Sequence, residues 1–203
     1  METALAHLPR TAPVVVFGGT FDPPHVGHLI VADDLFYAYQ PSAVVFIPAA
    51  IAPHKTAVRR EDAGHRVEMV RRAVGEDPHF AYATLELERG GLSYTIDTVD
   101  ALKALGFTDV VVAIGADNLA DLPTWRDWER LVTGSRLVAV SRPGYELTPA
   151  RVPVAGGRIE TLAVTPVPIS STLVRERVRK GAPFRYLVPG PVYEYILARG
   201  LYR

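Results

Sequence analysis

Glycines, prolines and histidines are concentrated in residues 18–28, GGTFDPPHVGH, which directly follow the apolar run Val14–Phe17. Gly18 and Gly19 allow backbone N–H groups to come close to a ligand. A helix that starts near Gly27 would point its positive end and its unpaired N–H groups at the same place. His25 and His28 are three residues apart, so on a helix they share a face and can both donate to phosphate oxygens. The stretch therefore predicts an anion site, although it matches neither the dinucleotide fingerprint nor the P-loop pattern.

Two other interpretations of this stretch remain open from the residues themselves. The first is a tight turn whose histidines only cap the following helix, with Asp22 fixing the Pro-Pro turn. The second is a metal site made of His25, His28 and a third ligand such as His54, although an isolated H-x-x-H pair is weak support for metal binding.

A second group of residues with phosphate-binding chemistry lies near the other end of the chain, in ISSTLVR, residues 169–175. Ser170 and Ser171 are typical N-cap residues, so their hydroxyls and the first N–H groups of the helix predict another anion site. Arg175 lies four residues beyond Ser171, on the same face, and its guanidinium offers a fork of donors to phosphate. The alternative is an amphipathic helix with an ordinary cap and RERVRK as its solvated face.

Composition limits the classes of partner and compartment. Lys+Arg and Asp+Glu both number 22, so the net charge is zero, and a nucleic-acid polymer or an anionic membrane is disfavoured as the main partner. The sequence contains no cysteine, which excludes disulfides and thiolate metal sites and fits a reducing cytoplasm. No apolar run is long enough for a membrane span, and the N-terminal residues do not resemble a signal peptide. A cytoplasmic protein is expected.

Short β-branched runs alternate with helical patterns along the chain, and this alternation must position the two anion sites. Predicted strands are PVVVFGG, AVVFIPA, FAYATLEL, DVVVAIGA, RLVAVSR and RIETLAV; predicted helices are GHLIVADDLFYAYQ, EDAGHRVEMVRRAVG, SYTIDTVDALKALG, TWRDWERLVTG, ISSTLVRERVRKG and PVYEYILARG. This order predicts an α/β fold, a doubly wound Rossmann-like parallel sheet with helices on both faces. We expect residues 1–203 to form a single domain, with 168–203 as its C-terminal helical part, and irregular stretches at 49–60 and 142–158.

The first stretch follows the first strand, and in doubly wound sheets ligands bind beyond the carboxyl ends of the strands. Thr20 followed by His25-x-Gly27-His28 resembles the signature of the HxGH nucleotidyltransferase superfamily, the adenylyl- and cytidylyltransferases. Residues 169–175 are similar to the I-S-S-T-x-x-R motif of the same superfamily. The resemblance implies that the histidines hold the triphosphate and stabilise the pentavalent α-phosphate as pyrophosphate leaves.

Four further segments resemble the nicotinate mononucleotide adenylyltransferases of bacteria. Pro53-His54-Lys55 is similar to their P-P-H-K loop, with Ala52 in place of the first proline. LELERGGLSYT is similar to E-x-x-R-x-G-P-S-Y-T, with Leu92 in place of proline. Gly115-Ala116-Asp117 matches G-A/P-D, in which the aspartate binds ribose hydroxyls, and Leu122-Pro123-Thr124-Trp125 matches L-P-x-W, in which the tryptophan stacks on the pyridine ring. From the residues alone, Trp125 is equally well explained as a core anchor with Trp128, and Asp117 as a helix N-cap.

The resemblance covers nearly the whole chain and implies a complete set of site residues. These are catalytic His25, His28 and Arg175; the ATP-binding residues Gly18, Gly19, Thr20, Gly115, Asp117, Ile169, Ser170 and Ser171; and the nicotinate mononucleotide-binding residues His54, Lys55, Ser93, Tyr94, Thr95, Leu122 and Trp125.

The implied reaction transfers the adenylyl group of ATP to nicotinate mononucleotide and gives deamido-NAD and pyrophosphate. Mg²⁺ is expected to arrive with ATP, and no metal site of the protein's own and no tightly bound cofactor are predicted. Alternatives are a sister transferase that acts on phosphopantetheine or nicotinamide mononucleotide, and a non-catalytic nucleotide-binding module. A homo-oligomer is compatible with the sequence, which does not set the oligomeric state.

Overall fold

A computed structural model of the chain describes residues 5–51, 61–75, 77–141 and 159–203. The strands of this part are β1 (Val14–Gly19), β2 (Ala43–Pro48), β3 (Phe80–Tyr82), β4 (Val110–Gly115), β5 (Arg136–Val140) and β6 (Ile159–Leu162). Its α-helices are α1 (Val26–Tyr39), α2 (Ala63–Val74), α3 (Leu85–Arg89), α4 (Thr95–Ala104), α5 (Trp128–Gly134), α6 (Ser171–Arg179) and α7 (Gly190–Arg199). None of the helices in these residues is long and apolar enough to cross a membrane.

The strands form one parallel sheet in the order β3-β2-β1-β4-β5-β6, which confirms the predicted doubly wound fold. Val14 pairs with Ala43 of β2 on one side and with Val110 of β4 on the other. The strand order therefore reverses between β1 and β4, and a crevice forms beyond the carboxyl ends of these two strands.

Both faces of the sheet are covered, as the apolar sequences of the strands require. Every residue of β2 and of β4 is buried, the pattern of parallel strands packed on both sides. Helices α1 and α2 pack on one face through side chains such as Leu35 and Val70. Helices α4 and α5 pack on the other through side chains such as Leu102 and Leu131.

The C-terminal helices form a third apolar cluster against the outer side of α2. Val174 of α6 and Ile196 of α7 are buried in it together with Met69 of α2. Helix α6 carries the predicted ISSTxxR motif. Its packing brings this motif beside the residues that precede α1, in the stretch of residues 18–28. Both helices end before a glycine with positive φ, Gly181 and Gly200, as the sequence predicts.

Two predicted elements differ from the structure. The strand predicted over FAYATLEL ends at Tyr82, and Leu85–Arg89 is a short helix. Leucine, glutamate and arginine are good helix formers, and Glu86 is buried with a hydrogen bond to α4, a tertiary contact that local alternation does not reveal. The helix predicted from Thr124 begins at Trp128, because Asp127 has φ 49° and interrupts the turn that precedes it.

Candidate active site

A cavity of about 940 Å³ occupies the crevice at the reversal of strand order. Its wall includes the ends of β1 and β4, the start of α1, the start of α4 and the start of α6. Three helices therefore direct their N-terminal ends towards one space, which favours an anionic ligand there.

The two glycines at the end of β1, Gly18 and Gly19, are required for different structural reasons. A Cβ atom added at Gly18 would have no heavy atom within 4 Å, so this backbone faces open space in the cavity wall. A Cβ atom at Gly19 would lie 2.8 Å from Cζ of Phe21, which is buried under the loop. Gly18 leaves room for a ligand, whereas Gly19 leaves room for the protein's own phenyl ring.

His25 and His28 form a stacked pair at the N-terminus of α1. Their ring centroids are 3.6 Å apart, and the ring planes are inclined by 25°. The backbone N–H of His25 donates to Nδ1 of His28 at 3.1 Å, so the proton of the neutral His28 ring is carried by Nε2. A Cβ at position 27 would come within 3.1 Å of Nδ1 of His25, which explains why glycine separates the two histidines.

The start of α6 is tied directly to the loop that follows β1. Ser170 is the N-cap, and its Oγ accepts from the Leu173 N–H, as predicted. The Ser171 hydroxyl donates to the carbonyl of Pro23 at 2.8 Å. Nη1 of Arg175 donates to the carbonyl of Asp22 at 2.7 Å, and both residues line the cavity. The two predicted anion sites are thus parts of one site.

Beneath the loop lies a buried polar group. The hydroxyl of Tyr202 donates to Oδ1 of Asp22 at 2.7 Å, across 180 residues of sequence. Asp22 is 3% exposed and Tyr202 8%. Burial and then the Asp22 charge raise the pKa of Tyr202, so its hydroxyl stays protonated and acts as the donor. Arg66, also buried, donates from Nη1 to the carbonyl of Thr20 and holds the same loop from α2.

On the opposite side, the residues before α4 form a second wall. The Ser93 N–H donates to the carbonyl of Ile51, and the Ala50 N–H donates to Oγ of Ser93. Tyr94 is the N-cap and Thr95 the first helical residue, so this segment starts a helix, as predicted. Ser93, Tyr94 and Thr95 all line the cavity.

Glu86 is a buried acid in the same wall. Its Oε1 accepts a hydrogen bond of 2.8 Å from the Thr98 hydroxyl, and both side chains are buried. Burial raises the pKa of the Glu86 carboxyl, and hydrogen bonds from Ser93 and Thr98 oppose that increase without cancelling it. The carboxyl therefore favours its neutral form more than an ordinary glutamate does.

The turn after β4 places Trp125 and Arg126 in the cavity wall. Trp125 also packs against the core, so both sequence interpretations of this residue apply. Leu122 is 2% exposed in that core and is not among the residues that line the cavity, so its binding role stays a prediction. Asp117 is half-buried beside the wall, and its Oδ1 accepts from Asn118, the residue that reaches the cavity instead.

Most predicted site residues come together in this cavity. They are Gly18, Gly19, Thr20, His25, His28, Ser93, Tyr94, Thr95, Gly115, Trp125, Ile169, Ser170, Ser171 and Arg175. His54 and Lys55 lie outside the described residues, as does the whole of 52–60. The alternative metal site included His54 and stays untested; within the described residues no group of three or more His, Cys, Asp or Glu could hold a metal.

Sequence reasoning missed three side chains of functional interest. Glu86 and Arg126 line the cavity, and Tyr202 anchors the loop beneath it. Glu86 lies within the segment that resembles E-x-x-R-x-G-P-S-Y-T, and Arg126 directly follows the predicted Trp125. Their positions in or beside these motifs could have identified both residues. For Tyr202 no local pattern could have identified a partner 180 residues away.

Comparison with known proteins identifies similar chains. The sequence model described as cytidylyltransferase-like matches residues 16–177. A Roseiflexus sp. (strain RS-1) protein named probable nicotinate-nucleotide adenylyltransferase is 41% identical over 197 residues, 95% of this chain and 99% of the relative. A protein of the same name from Thermus thermophilus is 44% identical over 189 residues, 93% of this chain and 98% of the relative.

Solved structures resemble the fold. Plasmodium falciparum nicotinic acid mononucleotide adenylyltransferase complexed with APC superposes with a TM-score of 0.74 at 17% identity, over 94% of this chain and 97% of that one. The complex of the same protein with NaAD gives a TM-score of 0.73 at the same identity. At this level of identity the likeness concerns the architecture alone.

Proposed function

The chain belongs to the cytidylyltransferase-like family, and from that premise we propose that it acts as a nicotinate-nucleotide adenylyltransferase. It transfers the adenylyl group of ATP to nicotinate mononucleotide and produces deamido-NAD and pyrophosphate, a step in NAD biosynthesis. The observation that carries this function is the meeting of both phosphate motifs and the SYT and LPTW segments in one cavity at the reversal of strand order.

ATP binds on the side of β1, α1 and α6. Gly18, Gly19 and Thr20 face the phosphates, and the N-terminus of α6 with Ile169, Ser170 and Ser171 receives them from the other side. Gly115 ends β4 and Asp117 lies two residues beyond it. Both contact the nucleoside, with Asp117 directed to the ribose hydroxyls. This assignment is supported by the convergence of three helix N-termini, whose partial positive charges stabilise a polyanion.

Nicotinate mononucleotide binds on the side of α4. Trp125 stacks on the pyridinium ring, a contact worth roughly 0.5–2 kcal/mol. The N–H groups of Tyr94 and Thr95, at the start of α4, face the nicotinate carboxylate, while Ser93 holds the segment in place through its bonds to Ile51 and Ala50. His54 and Lys55 bind the acceptor, and Leu122 contributes by fixing the turn that carries Trp125.

The chemistry needs no protein nucleophile. An oxygen of the acceptor phosphate, already an anion, forms a bond to the α-phosphorus of ATP as the bond from that phosphorus to the bridging oxygen breaks. The electron pair leaves with pyrophosphate. His25, His28 and Arg175 donate to the oxygens on which negative charge accumulates, so the protein contributes positioning and charge stabilisation.

Mg²⁺ enters as part of the substrate, bound to ATP. It lowers the negative charge of the triphosphate, and its ligands are phosphate oxygens and water. The buried Asp22 carboxylate is already occupied by the Tyr202 hydroxyl, which fits a metal held by its substrate rather than by a cluster of protein acids. The absence of cysteine supports a cytoplasmic location for the reaction.

The test is pyrophosphate release from ATP and Mg²⁺ with nicotinate mononucleotide, nicotinamide mononucleotide and phosphopantetheine offered in parallel. Strong preference for nicotinate mononucleotide is expected. Turnover with phosphopantetheine alone would overturn the acceptor assignment and keep the transfer chemistry. Nucleotide binding without turnover of any acceptor would favour a binding module and reject the enzyme.

A further inference from the structure

Three charged side chains, Arg126, Asp97 and Arg89, lie in a row near the start of α4, on the side of the cavity proposed to bind the acceptor. Nη1 of Arg126 lies 3.4 Å from Oδ2 of Asp97, and Nε of Arg89 lies 3.8 Å from the same oxygen. The guanidinium of Arg126 also lies over the ring of Tyr94, 4.9 Å from its centroid. Two cations therefore share one carboxylate, and the group carries an excess of positive charge.

The position of this excess charge is unfavourable for the isolated protein. Tyr94 and Asp97 belong to the cap and first turn of α4, where the helix already presents its positive end. A cation near a helix N-terminus is destabilised, whereas an anion there is stabilised. Asp97 supplies one anion, and a second anion in front of Arg126 would complete the compensation.

Neighbouring acids do not supply that second anion. Glu86 lies in the same wall, but burial raises the pKa of its carboxyl and its Oε1 is engaged by Thr98. Asp100 is paired with Arg130, 2.9 Å from Nη1 of that residue. Arg175, the other arginine in the described cavity wall, is bonded to the Asp22 carbonyl in the loop of residues 20–24 that follows β1, which we call the phosphate loop. Among the described residues, Arg126 is thus the arginine that lines the cavity on the acceptor side.

We propose that Arg126 determines acceptor specificity by pairing its guanidinium with the carboxylate that distinguishes nicotinate from nicotinamide mononucleotide. This inference rests on the proposed function and assigns a side chain to the selection. Arg126 follows Trp125, the residue proposed to stack on the pyridine ring, so a group on that ring lies near the guanidinium. Nicotinamide carries a neutral amide at the same place and gains no charge-assisted hydrogen bond.

The experiment compares the wild type with Arg126→Met, which keeps the length of the side chain and removes its charge. Steady-state kcat/KM is measured for nicotinate and nicotinamide mononucleotides at saturating ATP. We expect kcat/KM for the nicotinate acceptor to fall roughly 10- to 100-fold, the loss of one hydrogen bond to a charged group. The value for the nicotinamide acceptor and the KM for ATP should stay near wild type.

Arg130→Met is the matched control. Arg130 pairs with Asp100 and Asp127 on the outside of α5 and does not line the cavity, so its loss should leave the preference between acceptors unchanged. An Arg126→Met enzyme with an unchanged ratio of the two kcat/KM values would overturn the inference. So would an equal fall for both acceptors.

Asp97→Asn is an independent variant that should change the acceptor preference in the direction opposite to Arg126→Met. Without the shared carboxylate, Arg126 lines the cavity with its charge uncompensated, so the preference for nicotinate over nicotinamide should increase. A decreased preference would contradict the proposal. If the wild type itself turns over no acceptor, the proposed function fails, whereas a selective wild type with an unaltered Arg126→Met ratio rejects only the role of Arg126.

Discussion

His25 and His28 lie ring on ring at the start of α1, with the tautomer of His28 set by the backbone N–H of His25. Because we propose that they stabilise charge that develops in the transition state, replacing either by alanine should lower kcat roughly 10²- to 10³-fold. ATP binding, measured by calorimetry, should change little. His79→Ala, at a half-exposed histidine outside the cavity, is the control. A kcat equal to wild type would remove the histidines from the mechanism.

The Glu86 carboxyl in the cavity wall has a raised pKa, so its titration should make the stability of the protein depend on pH. Below pH 4.5, its ordinary value, the carboxyl is protonated in both folded and unfolded chains. As pH rises, the unfolded chain loses this proton first, because the pKa is raised in the folded protein, so the free energy of unfolding falls.

Glu86→Gln removes that titration. The free energy of unfolding of wild type relative to Glu86→Gln should therefore decrease as pH increases from 4.5 and level off above the folded pKa. Urea denaturation of both proteins across this interval measures the difference. A difference independent of pH would show that Glu86 titrates as an ordinary surface acid.

At the scale of elements, the two glycines that end β1 serve different purposes: Gly19 makes room for the Phe21 ring, and Gly18 makes room for a ligand. Gly19→Ala should destabilise the protein by about 1–3 kcal/mol, because the added Cβ meets the buried Phe21 ring. Gly18→Ala should keep the melting temperature, since nothing lies within 4 Å of its Cβ. Gly18→Ala should raise the KM for ATP about tenfold or more, because the added methyl group occupies ligand space and costs one charge-assisted hydrogen bond between the backbone and a phosphate. Equal melting temperatures for the two variants would contradict this separation.

The elements were predictable from sequence to different degrees. Apolar runs such as Val110–Gly115 are buried on both faces of the sheet, and their short, continuous, β-branched sequences predict parallel strands. The strand predicted over FAYATLEL was right at Phe80–Tyr82 and wrong at its end, where Leu85–Arg89 is a helix that places Glu86 in a buried hydrogen bond with Thr98. Local patterns carry no information about a partner in another helix.

The site residues also divide into those that local patterns predict and those that depend on contacts between distant residues. The phosphate motifs were predictable, because glycine, histidine and N-cap serine act through their own backbone neighbours. The exclusion of Leu122 from the cavity and the charge cluster at Arg126 depend on how the turn after β4 packs, which spacing does not determine.

At the scale of the whole molecule, residues 1–203 remain a predicted single domain. The packing of α6 and α7 on α2 supports this prediction, since the C-terminal helices share a core cluster with the first half of the chain. Calorimetry should give one unfolding transition, with equal calorimetric and van't Hoff enthalpies. A separate early transition, lost on removal of residues 168–203, would indicate two units.

The contact between Tyr202 and Asp22 makes the phosphate loop depend on distant sequence. Tyr202→Phe should lower the free energy of unfolding by about 1.5–3 kcal/mol, because a buried carboxylate loses its donor. It should also lower kcat, since the loop that carries His25 is less firmly held. Tyr186→Phe, at a tyrosine that is 87% exposed, is the control. Asp22→Asn combined with Tyr202→Phe should cost less than the sum of the two single changes.

The same contact has a consequence for synthesis on the ribosome. Asp22 is made 180 residues before Tyr202, an interval of roughly 10 to 40 s at ordinary elongation rates. Throughout that interval the loop lacks the hydroxyl that anchors its buried acid. A nascent chain can therefore form β1 and α1 early, but the anchored form of the loop at Asp22 requires translation of residue 202.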